Sequence, residues 1–149
     1  MKIAIGCDHG ALALKNALIP HLEEKGYEVK NFGTDTLDSC DYPDFAAAAA
    51  KAVAEGKCDM GIVVCTTGIG ISIAANKVKG IRAALCADCY SAEFTRLHND
   101  ANILALGART TGSGLALKIV DTFLNTEFEG GRHARRVGLI AEIEEKERA

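Results

Sequence analysis

Short apolar segments alternate with longer amphipathic segments along almost the whole chain of 149 residues. The segment over 60–65 is apolar at every position, which is typical of a strand buried on both faces of a sheet. The longer segments have the apolar spacing of helices, and Gly26 and Gly56 follow two of them as helix-ending residues. Alternating strands and helices favour a parallel sheet joined by right-handed helical crossovers. The pattern therefore predicts an α/β fold with helices on both faces of the sheet.

The predicted fold is a single Rossmann-like three-layer domain over 1–149, with a five-stranded parallel sheet and an appended C-terminal helix. The predicted strands cover 2–6, 28–31, 60–65, 82–86 and 102–106. The predicted helices cover 11–25, 45–55, 69–77, 91–98, 113–124 and 132–147. Because the last helix follows two glycines and has only a narrow apolar stripe, it either packs on a partner subunit or closes its own sheet.

Composition and charge narrow the class of protein. Hydrophobic residues make up 48% of the chain, charged residues make up 25%, and the formal net charge is −3. These values exclude an intrinsically disordered chain and disfavour a nucleic-acid or polybasic membrane partner. No apolar run is long enough to span a bilayer, and the first residues lack the apolar segment of a secretory signal. A chain of this length does not need its six cysteines as disulfide staples, so we expect a reducing cytoplasm.

The segment over 65–72, Cys-Thr-Thr-Gly-Ile-Gly-Ile-Ser, leaves the apolar strand and begins a helix. Ligands of open parallel sheets bind beyond the carboxyl ends of the strands, so this turn is a candidate site. Its backbone amides lie at the positive end of a helix, which suits an anion and favours a thiolate at Cys65. A thiolate there can attack a carbonyl carbon or remove a proton. The alternative is a tight structural turn with an inert cysteine.

Two polar segments lie near other strand ends. Asp8 and His9 follow the first strand, and a flavodoxin-like strand order would place them opposite the 65–72 turn. They form a candidate ligand-binding pair, and Asp8 is also suited to cap the helix that follows. His98 lies before the fifth strand, where an imidazole serves either as a general acid or as a C-terminal helix cap. The pattern leaves both roles open.

Arg132 and Arg136 lie one helical turn apart, so their guanidinium groups share a face that fits a phosphate dianion. Arg109, just after the fifth strand, is a third candidate cation, and a solvated basic face is the alternative. The acidic residues of the loop before the second helix lack the spacing of a calcium loop and indicate a solvated loop: Asp35, Asp38, Asp41 and Asp44. No set of His, Cys, Asp or Glu has the sequence spacing of a metal site.

These candidate groups together suit a small phosphorylated substrate that contains a carbonyl group. They are a thiol base, an amide-rich turn, an imidazole that can act as a general acid, and an arginine cluster. Removal of a proton beside that carbonyl gives an enediolate, and the amides of the turn can hold its oxygens. This chemistry requires no cofactor and no metal.

In these features the chain resembles the ribose-5-phosphate isomerase type B family, whose sister group comprises the galactose-6-phosphate isomerase subunits. The resemblance covers essentially the whole chain, and the segments that carry it are 7–9, 41–43, 65–77, 80–83, 98–100 and 129–133. It implies metal-independent interconversion of ribose 5-phosphate and ribulose 5-phosphate in the pentose phosphate pathway. It also implies a homodimer, often a dimer of dimers, in which each site is built from two subunits, with no nucleic-acid or membrane partner.

The resemblance also implies roles for individual residues. Cys65 matches the family's proton-shuttling base, Thr67 its supporting hydroxyl, and His98 the proton donor that opens the furanose ring. The arginines bind chiefly phosphate, and the 66–70 backbone matches the anion hole for the enediolate. The positions that match substrate-binding residues are Asp8, His9, Thr66, Thr67, Gly68, Ile69, Gly70, Asn99, Arg109, Arg132 and Arg136.

Several alternatives stay open at this level. The substrate is alternatively a six-carbon sugar phosphate, such as allose or galactose 6-phosphate. Cys65 and His98 also suit a cysteine hydrolase, and the Cys86–Cys89 spacing also suits a redox pair. The Gly68–Gly70 turn also suits a nucleotide-binding module, with Asp88 about 20 residues on as a ribose ligand. Against that module, Ile73 stands where the fingerprint needs a small residue.

Thr66 departs from the family pattern, since many members have glycine at this position. If the position needs a positive φ, Thr66 is strained. If it does not, Thr66 adds a side chain to the pocket wall.

Overall fold

In the computed structural model, which describes residues 1–149, five parallel strands form one sheet in the order β2-β1-β3-β5-β4. The strands are β1 (Lys2–Cys7), β2 (Glu28–Asn31), β3 (Met60–Cys65), β4 (Ala83–Leu85) and β5 (Ile103–Gly107). The helices are α1 (Leu12–Glu24), α2 (Tyr42–Ala54), α3 (Ile69–Ala75), α4 (Cys89–Asn99), α5 (Ser113–Leu124) and α6 (Arg132–Glu147). A short 3-10 turn, His9–Ala11, precedes α1. The predicted α/β class and the parallel five-stranded sheet are confirmed.

Two helices begin earlier in the chain than the sequence predicts, and local chemistry explains both. Helix α2 begins at Tyr42 and carries Pro43 in its first turn, where the missing N–H of proline is not needed. Helix α4 begins at Cys89, because Asp88 Oδ1 accepts a hydrogen bond from the Ser91 amide at 2.6 Å and caps the helix.

Different helices bury the two faces of the sheet. Helices α1 and α5 cover one face with large aliphatic side chains such as Leu18, Leu22 and Ile119. Helices α2 and α3 cover the other face, and α2 contributes mainly alanines to it. The close approach of α2 requires Gly6 in β1, where an added Cβ would lie 2.8 Å from the Phe45 carbonyl oxygen. Burial of an aliphatic side chain contributes about 1.5–3 kcal/mol, so these layers hold the strand ends in place.

Strand β5, rather than β4, lies next to β3. The flavodoxin-like order correctly places β1 beside β3, but it differs from the observed order at the last two strands. All five residues of β5 are buried, whereas none of the three residues of β4 is. A fully apolar strand gains most from a central position, and a short, partly exposed strand suits the edge of a sheet.

The last helix uses its far end to dock on its own chain. Glu144 in α6 accepts a hydrogen bond from the Gly80 amide at 3.0 Å, and Arg148 donates to the Lys77 carbonyl at 2.8 Å. Its apolar residues Ile140 and Ile143 nevertheless stay about half exposed, at 49% and 62%. The helix therefore closes part of its own domain and keeps an apolar stripe open. None of the helices has the length and apolar character needed to cross a membrane.

Candidate active site

The carboxyl ends of β1, β3 and β5 lie side by side, since Cys7 pairs with Val64 and Cys65 pairs with Gly107. An added Cβ at Gly10 would lie 2.5 Å from Thr66 Oγ1, so the segments after β1 and β3 are in contact. The predicted site residues that follow these strands form what we call the strand-end cluster: Asp8, His9, Cys65, Thr66, Thr67, Gly68, Ile69, Gly70 and Arg109.

Cys65 is the last residue of β3 and is only 5% exposed. The amide of Gly68 donates a hydrogen bond to its Sγ atom at 3.1 Å. A hydrogen-bond donor aimed at sulfur stabilises negative charge on it, so the arrangement suits a thiolate that accepts a proton.

The turn after Cys65 depends on glycine. Gly68 has a φ of +78°, and an added Cβ would lie 2.5 Å from Leu85 Cδ1 and 2.7 Å from the Leu106 carbonyl carbon. Thr67 Oγ1 accepts a hydrogen bond from the Ile69 amide at 3.3 Å. The next two amides, those of Gly70 and Ile71, have no hydrogen-bond partner. They point from the first turn of α3 and are available to an anion.

Asp8 and His9 face this turn from the end of β1. Asp8 is 7% exposed, and its Oδ1 atom accepts a hydrogen bond from the Gly10 amide at 3.0 Å. The cap role for Asp8 is therefore real, and its second carboxylate oxygen remains available to a ligand. The Cys40 amide donates to His9 Nδ1 at 3.2 Å. A neutral His9 consequently carries its proton on Nε2, from which it can donate to a ligand.

The four acidic residues of the loop are exposed, in agreement with the predicted solvated loop, but Asp35 also ties the loop to the body of the domain. The side chain of Lys15 is fully buried, donates to the Thr34 carbonyl at 2.5 Å and pairs with Asp35. The hydrogen bond from Lys15 lowers the pKa of Asp35 below its ordinary value. This anchor fixes the start of the loop that carries Cys40 to His9.

Helix α2, which follows this loop, begins with Tyr42 and brings it to the turn after Cys65. An added Cβ at Gly70 would lie 2.7 Å from the Tyr42 ring, so the ring rests directly on this glycine. Sequence reasoning gave no role to Cys40 or Tyr42. The segment 41–43 carries the family resemblance, and that was the available signal for Tyr42.

Thr66 adopts an ordinary backbone conformation, because Asp100 is the only non-glycine residue with a positive φ. Of the two alternatives for Thr66, strain is therefore excluded, and its exposed side chain adds to the wall of the cluster beside Gly10. The Arg109 amide donates to the Thr66 carbonyl at 3.0 Å, which fastens the segment after β5 to the same turn.

The remaining predicted site residues gather where α4 ends and α6 begins. We call His98, Asn99, Arg132 and Arg136 the helix-end cluster. The His98 ring stacks on the ring of His133, with centroids 4.0 Å apart and planes 10° from parallel. Arg132 and Arg136 are both exposed on α6. Sequence reasoning assigned no role to His133, because nothing in the chain's local pattern links it to His98.

Within one chain, the strand-end cluster lies at the carboxyl ends of the strands, and the helix-end cluster lies at their amino ends. Because β4 and β5 are parallel, α4 must run back from the carboxyl end of β4 to the amino end of β5. Its 11 residues span about 16 Å. At its end, the Asn99 carbonyl accepts a hydrogen bond from Arg82 Nε at 3.0 Å, just before β4 begins. His98 and Cys65 of a single chain therefore do not share a site.

Two other cysteines lie close to strand ends: Cys7 ends β1, and Cys86 follows β4. Burial raises the pKa of Cys7 to about 11 and that of Cys86 to about 11. A redox role for Cys86 and Cys89 needs an easily ionised thiol, so burial of Cys86 disfavours it and favours a packing role.

The profile of the ribose/galactose isomerase family matches residues 3–140. The chain belongs to this family. The ribose-5-phosphate isomerase B of Escherichia coli (strain K12) is 51% identical over 97% of each chain. The structure of ribose-5-phosphate isomerase B from Clostridium thermocellum superimposes on this chain with a TM-score of 0.97 and 61% sequence identity. The superposition covers 98% of this chain and 99% of that one. The Mycoplasma genitalium ribose-5-phosphate isomerase B with bound ribulose-5-phosphate has a TM-score of 0.94 and 42% identity, over 97% of this chain and 96% of that one.

These likenesses confirm the resemblance inferred from the sequence. They extend through both the strand-end cluster and the helix-end cluster, since the matched region of the ribose/galactose isomerase family includes every predicted site residue from Asp8 to Arg136.

Proposed function

We propose that the chain is a ribose-5-phosphate isomerase that interconverts ribose 5-phosphate and ribulose 5-phosphate. The observation that carries the proposal is the position of the Cys65 sulfur at the end of β3, where it accepts a hydrogen bond from the Gly68 amide. The amides of the first turn of α3, which have no hydrogen-bond partner, follow directly in the chain. Membership of the ribose/galactose isomerase family and the ribulose-5-phosphate bound to the M. genitalium relative support a phosphorylated pentose as substrate.

In the proposed reaction the Cys65 thiolate takes the proton from C2 of the open-chain aldose, and the C–H electron pair forms the double bond of an enediolate. The Thr67 hydroxyl supports the thiol, and the 66–70 backbone holds the enediolate oxygens as their charge develops. The Cys65 thiol then delivers a proton to C1, and the hydroxyl proton of O2 passes to O1, so that C2 carries the carbonyl of the ketose. Side chains and amides of the chain supply each of these steps, so the proposed mechanism is metal-independent and uses no cofactor.

His98 is the proposed acid that opens the furanose ring by protonating the ring oxygen. Guanidinium groups bind a phosphate dianion through paired hydrogen bonds, and the proposed phosphate ligands are Arg109, Arg132 and Arg136. The proposed ligands of the sugar hydroxyls are Asp8, His9 and Asn99.

A complete site requires two copies of the chain in this proposal. The proposed base lies in the strand-end cluster and the proposed acid lies in the helix-end cluster. Within one chain these clusters lie at opposite ends of the strands. A homodimer, or a dimer of dimers, can place the strand-end cluster of one copy against the helix-end cluster of another. Exposed apolar side chains near β4, α3 and α6 support a subunit contact there: Ile69, Ile73, Leu85, Leu139, Ile140 and Ile143.

A six-carbon substrate, allose or galactose 6-phosphate, is the alternative, because the family includes galactose isomerases. The Thr66 side chain occupies part of the pocket wall and favours the shorter sugar. The nucleotide-binding alternative is disfavoured, since both carboxylate oxygens of Asp88 are engaged by Ser91. A cysteine hydrolase is disfavoured because the chain belongs to the ribose/galactose isomerase family.

The test is turnover of five- and six-carbon aldose phosphates, followed by the same reaction in deuterated water. We expect the highest kcat/KM for ribose 5-phosphate and solvent deuterium at the carbon that exchanges its proton. Turnover of a six-carbon phosphate alone would select the alternative substrate. An absence of turnover with every aldose phosphate would contradict the isomerase.

We further propose that residues 1–149 act as one sugar-phosphate isomerase domain in the cytoplasm, within the pentose phosphate pathway. All six cysteines are free, which supports a reducing compartment.

A further inference from the structure

Three side chains that are distant in the sequence meet at the junction of α4 and α6. His98 comes from the last turn of α4, Glu129 from the segment after α5, and His133 from the first turn of α6. Glu129 Oε2 lies 3.7 Å from His98 Nε2 and 4.0 Å from His133 Nε2. The three ligand atoms all lie within 4.8 Å of one another. The Glu129 amide donates to the Leu97 carbonyl at 3.1 Å, which fixes this segment beside α4.

The Nε2 atom of His133 has no partner in the protein. His133 is 4% exposed, and its Nε2 is the only buried side-chain nitrogen or oxygen in the chain without a hydrogen bond. Buried polar atoms are almost always hydrogen-bonded, so an unpaired one calls for a ligand. This nitrogen faces the Glu129 carboxylate across a gap that is too long for a hydrogen bond.

Imidazole nitrogens are metal ligands, and this cluster is open to solvent. A neutral imidazole keeps a lone pair on one ring nitrogen, and neutral imidazole is the form that binds metals. His98 is partly exposed, so an ion can reach the gap from solvent.

We propose that His98 Nε2, His133 Nε2 and a Glu129 carboxylate oxygen form a zinc site. Two imidazoles and one carboxylate are a ligand set that zinc uses, with the fourth tetrahedral position left to water. Calcium and magnesium prefer all-oxygen sites, so they do not fit. Neighbouring ligand atoms around tetrahedral zinc lie about 3.3 Å apart, given bonds of about 2.0–2.1 Å. The cluster must therefore contract by less than an ångström at each Glu129 contact, and the stacked rings must tilt towards the ion.

The bound ion is an inhibitor rather than a cofactor. An imidazole bound to zinc cannot take up the second proton that a general acid donates, so zinc binding at His98 and ring opening by His98 exclude each other. This consequence rests on the proposed function, whereas the site itself does not.

The test is titration of the full-length protein with zinc chloride by calorimetry and with cobalt(II) chloride by absorption. We expect one ion per chain and a visible cobalt spectrum typical of nitrogen and oxygen ligands. We expect at least tenfold weaker binding in both Glu129→Gln and His133→Gln. His21→Gln is the matched control, because His21 pairs with a carboxylate, Asp121, at 2.7 Å but has no second imidazole beside it. Zinc binding in His21→Gln should equal that of the original chain.

The site would be overturned by the absence of zinc binding at millimolar concentration, by unchanged binding in Glu129→Gln, or by a strong near-ultraviolet band from cobalt bound to cysteine. The Glu129 side chain is 50% exposed, so Glu129→Gln keeps the test decisive even if the buried His133→Gln fails to fold. Zinc should also inhibit turnover of ribose 5-phosphate reversibly, and a chelator should restore it. If the chain turns over no sugar phosphate, the binding measurements still decide the site. If turnover is normal and zinc does not bind, only the zinc site is wrong.

Discussion

The strand-end cluster and the helix-end cluster are built in different ways. Backbone groups dominate the strand-end cluster: amides at Gly68, Gly70 and Ile71, and glycines packed against neighbouring atoms. Side chains dominate the helix-end cluster: two stacked imidazoles and exposed guanidinium groups on α6. Backbone groups that are held by the sheet keep fixed positions, whereas long exposed side chains can adjust their conformation to a phosphate. In the proposed function, proton removal from carbon therefore belongs to the strand-end cluster, and ring opening and two of the phosphate contacts belong to the helix-end cluster.

The largest expected effect is at Cys65. If the strand-end cluster holds the base, Cys65→Ala should lower kcat by about 10²–10⁴-fold, the usual contribution of a general base, while substrate affinity changes little. Steady-state kinetics and direct binding of ribose 5-phosphate measure the two quantities. Cys86→Ala is the control, since this buried thiol belongs to neither cluster and should keep near-normal turnover. Near-normal turnover in Cys65→Ala would remove the base from the strand-end cluster.

Mixed oligomers test whether the two clusters meet across copies of the chain. Cys65→Ala and His98→Ala should each be nearly inactive alone. After subunit exchange, a hybrid dimer contains one site with both changes and one intact site, so random mixing should restore about one quarter of normal activity. Mass spectrometry can confirm the exchange. Confirmed exchange without recovery would place each site within a single chain.

Adding one methyl group should affect the two regions in opposite directions. Gly68→Ala forces a side chain into a positive φ and against the Leu106 backbone, so it should lower the free energy of unfolding by about 3 kcal/mol and reduce kcat. Gly138→Ala in α6 meets no atom within 4 Å and should raise the free energy of unfolding by about 0.5–1 kcal/mol. Denaturant unfolding of both variants checks this. Equal tolerance of the two changes would show that the turn at Gly68 is not rigid.

Loss of a phosphate-binding side chain should chiefly weaken binding. Arg132→Ala should raise KM about tenfold and lower kcat less, because a phosphate contact is made equally in the ground state and the transition state. Arg135→Ala, one position before Arg136 and equally exposed, is the matched control for general loss of charge. A fall in kcat with unchanged KM would contradict the binding role of Arg132 and assign it to the chemical step.

The smallest expected effect is the acid dependence of the loop anchor. The pKa of Asp35 is below its ordinary value in the folded chain, so the stability from its contact with Lys15 is complete above that ordinary value. That stability should be lost as the pH falls towards the lowered pKa. In Asp35→Asn the Tm should be slightly lower at neutral pH and should converge with that of the original chain as the pH falls below the ordinary pKa of an aspartate. A constant difference in Tm across this range would contradict the role of the charge.

The amino-acid sequence by itself determined the fold class, most element boundaries, the turn after Cys65 and the family. The evidence for them is local: strand and helix periodicity, glycine positions and the apolar segment over 60–65. Such features can be recognised from neighbouring residues in the chain, without knowledge of tertiary contacts. Pairing of the Asp8–His9 segment with that turn also followed from the sequence, because parallel strands end at one edge.

Only the tertiary structure decided which predicted residues share a site. The predicted parallel sheet already implies that α4 returns His98 to the opposite ends of the strands from Cys65, but only the structure shows that β5 lies beside β3 and that β4 lies outside it. The sequence also does not show the buried Lys15 anchor or the meeting of His98 with Glu129 and His133. These contacts join residues far apart in the chain, and packing of helices on the sheet, rather than any local pattern, brings them together.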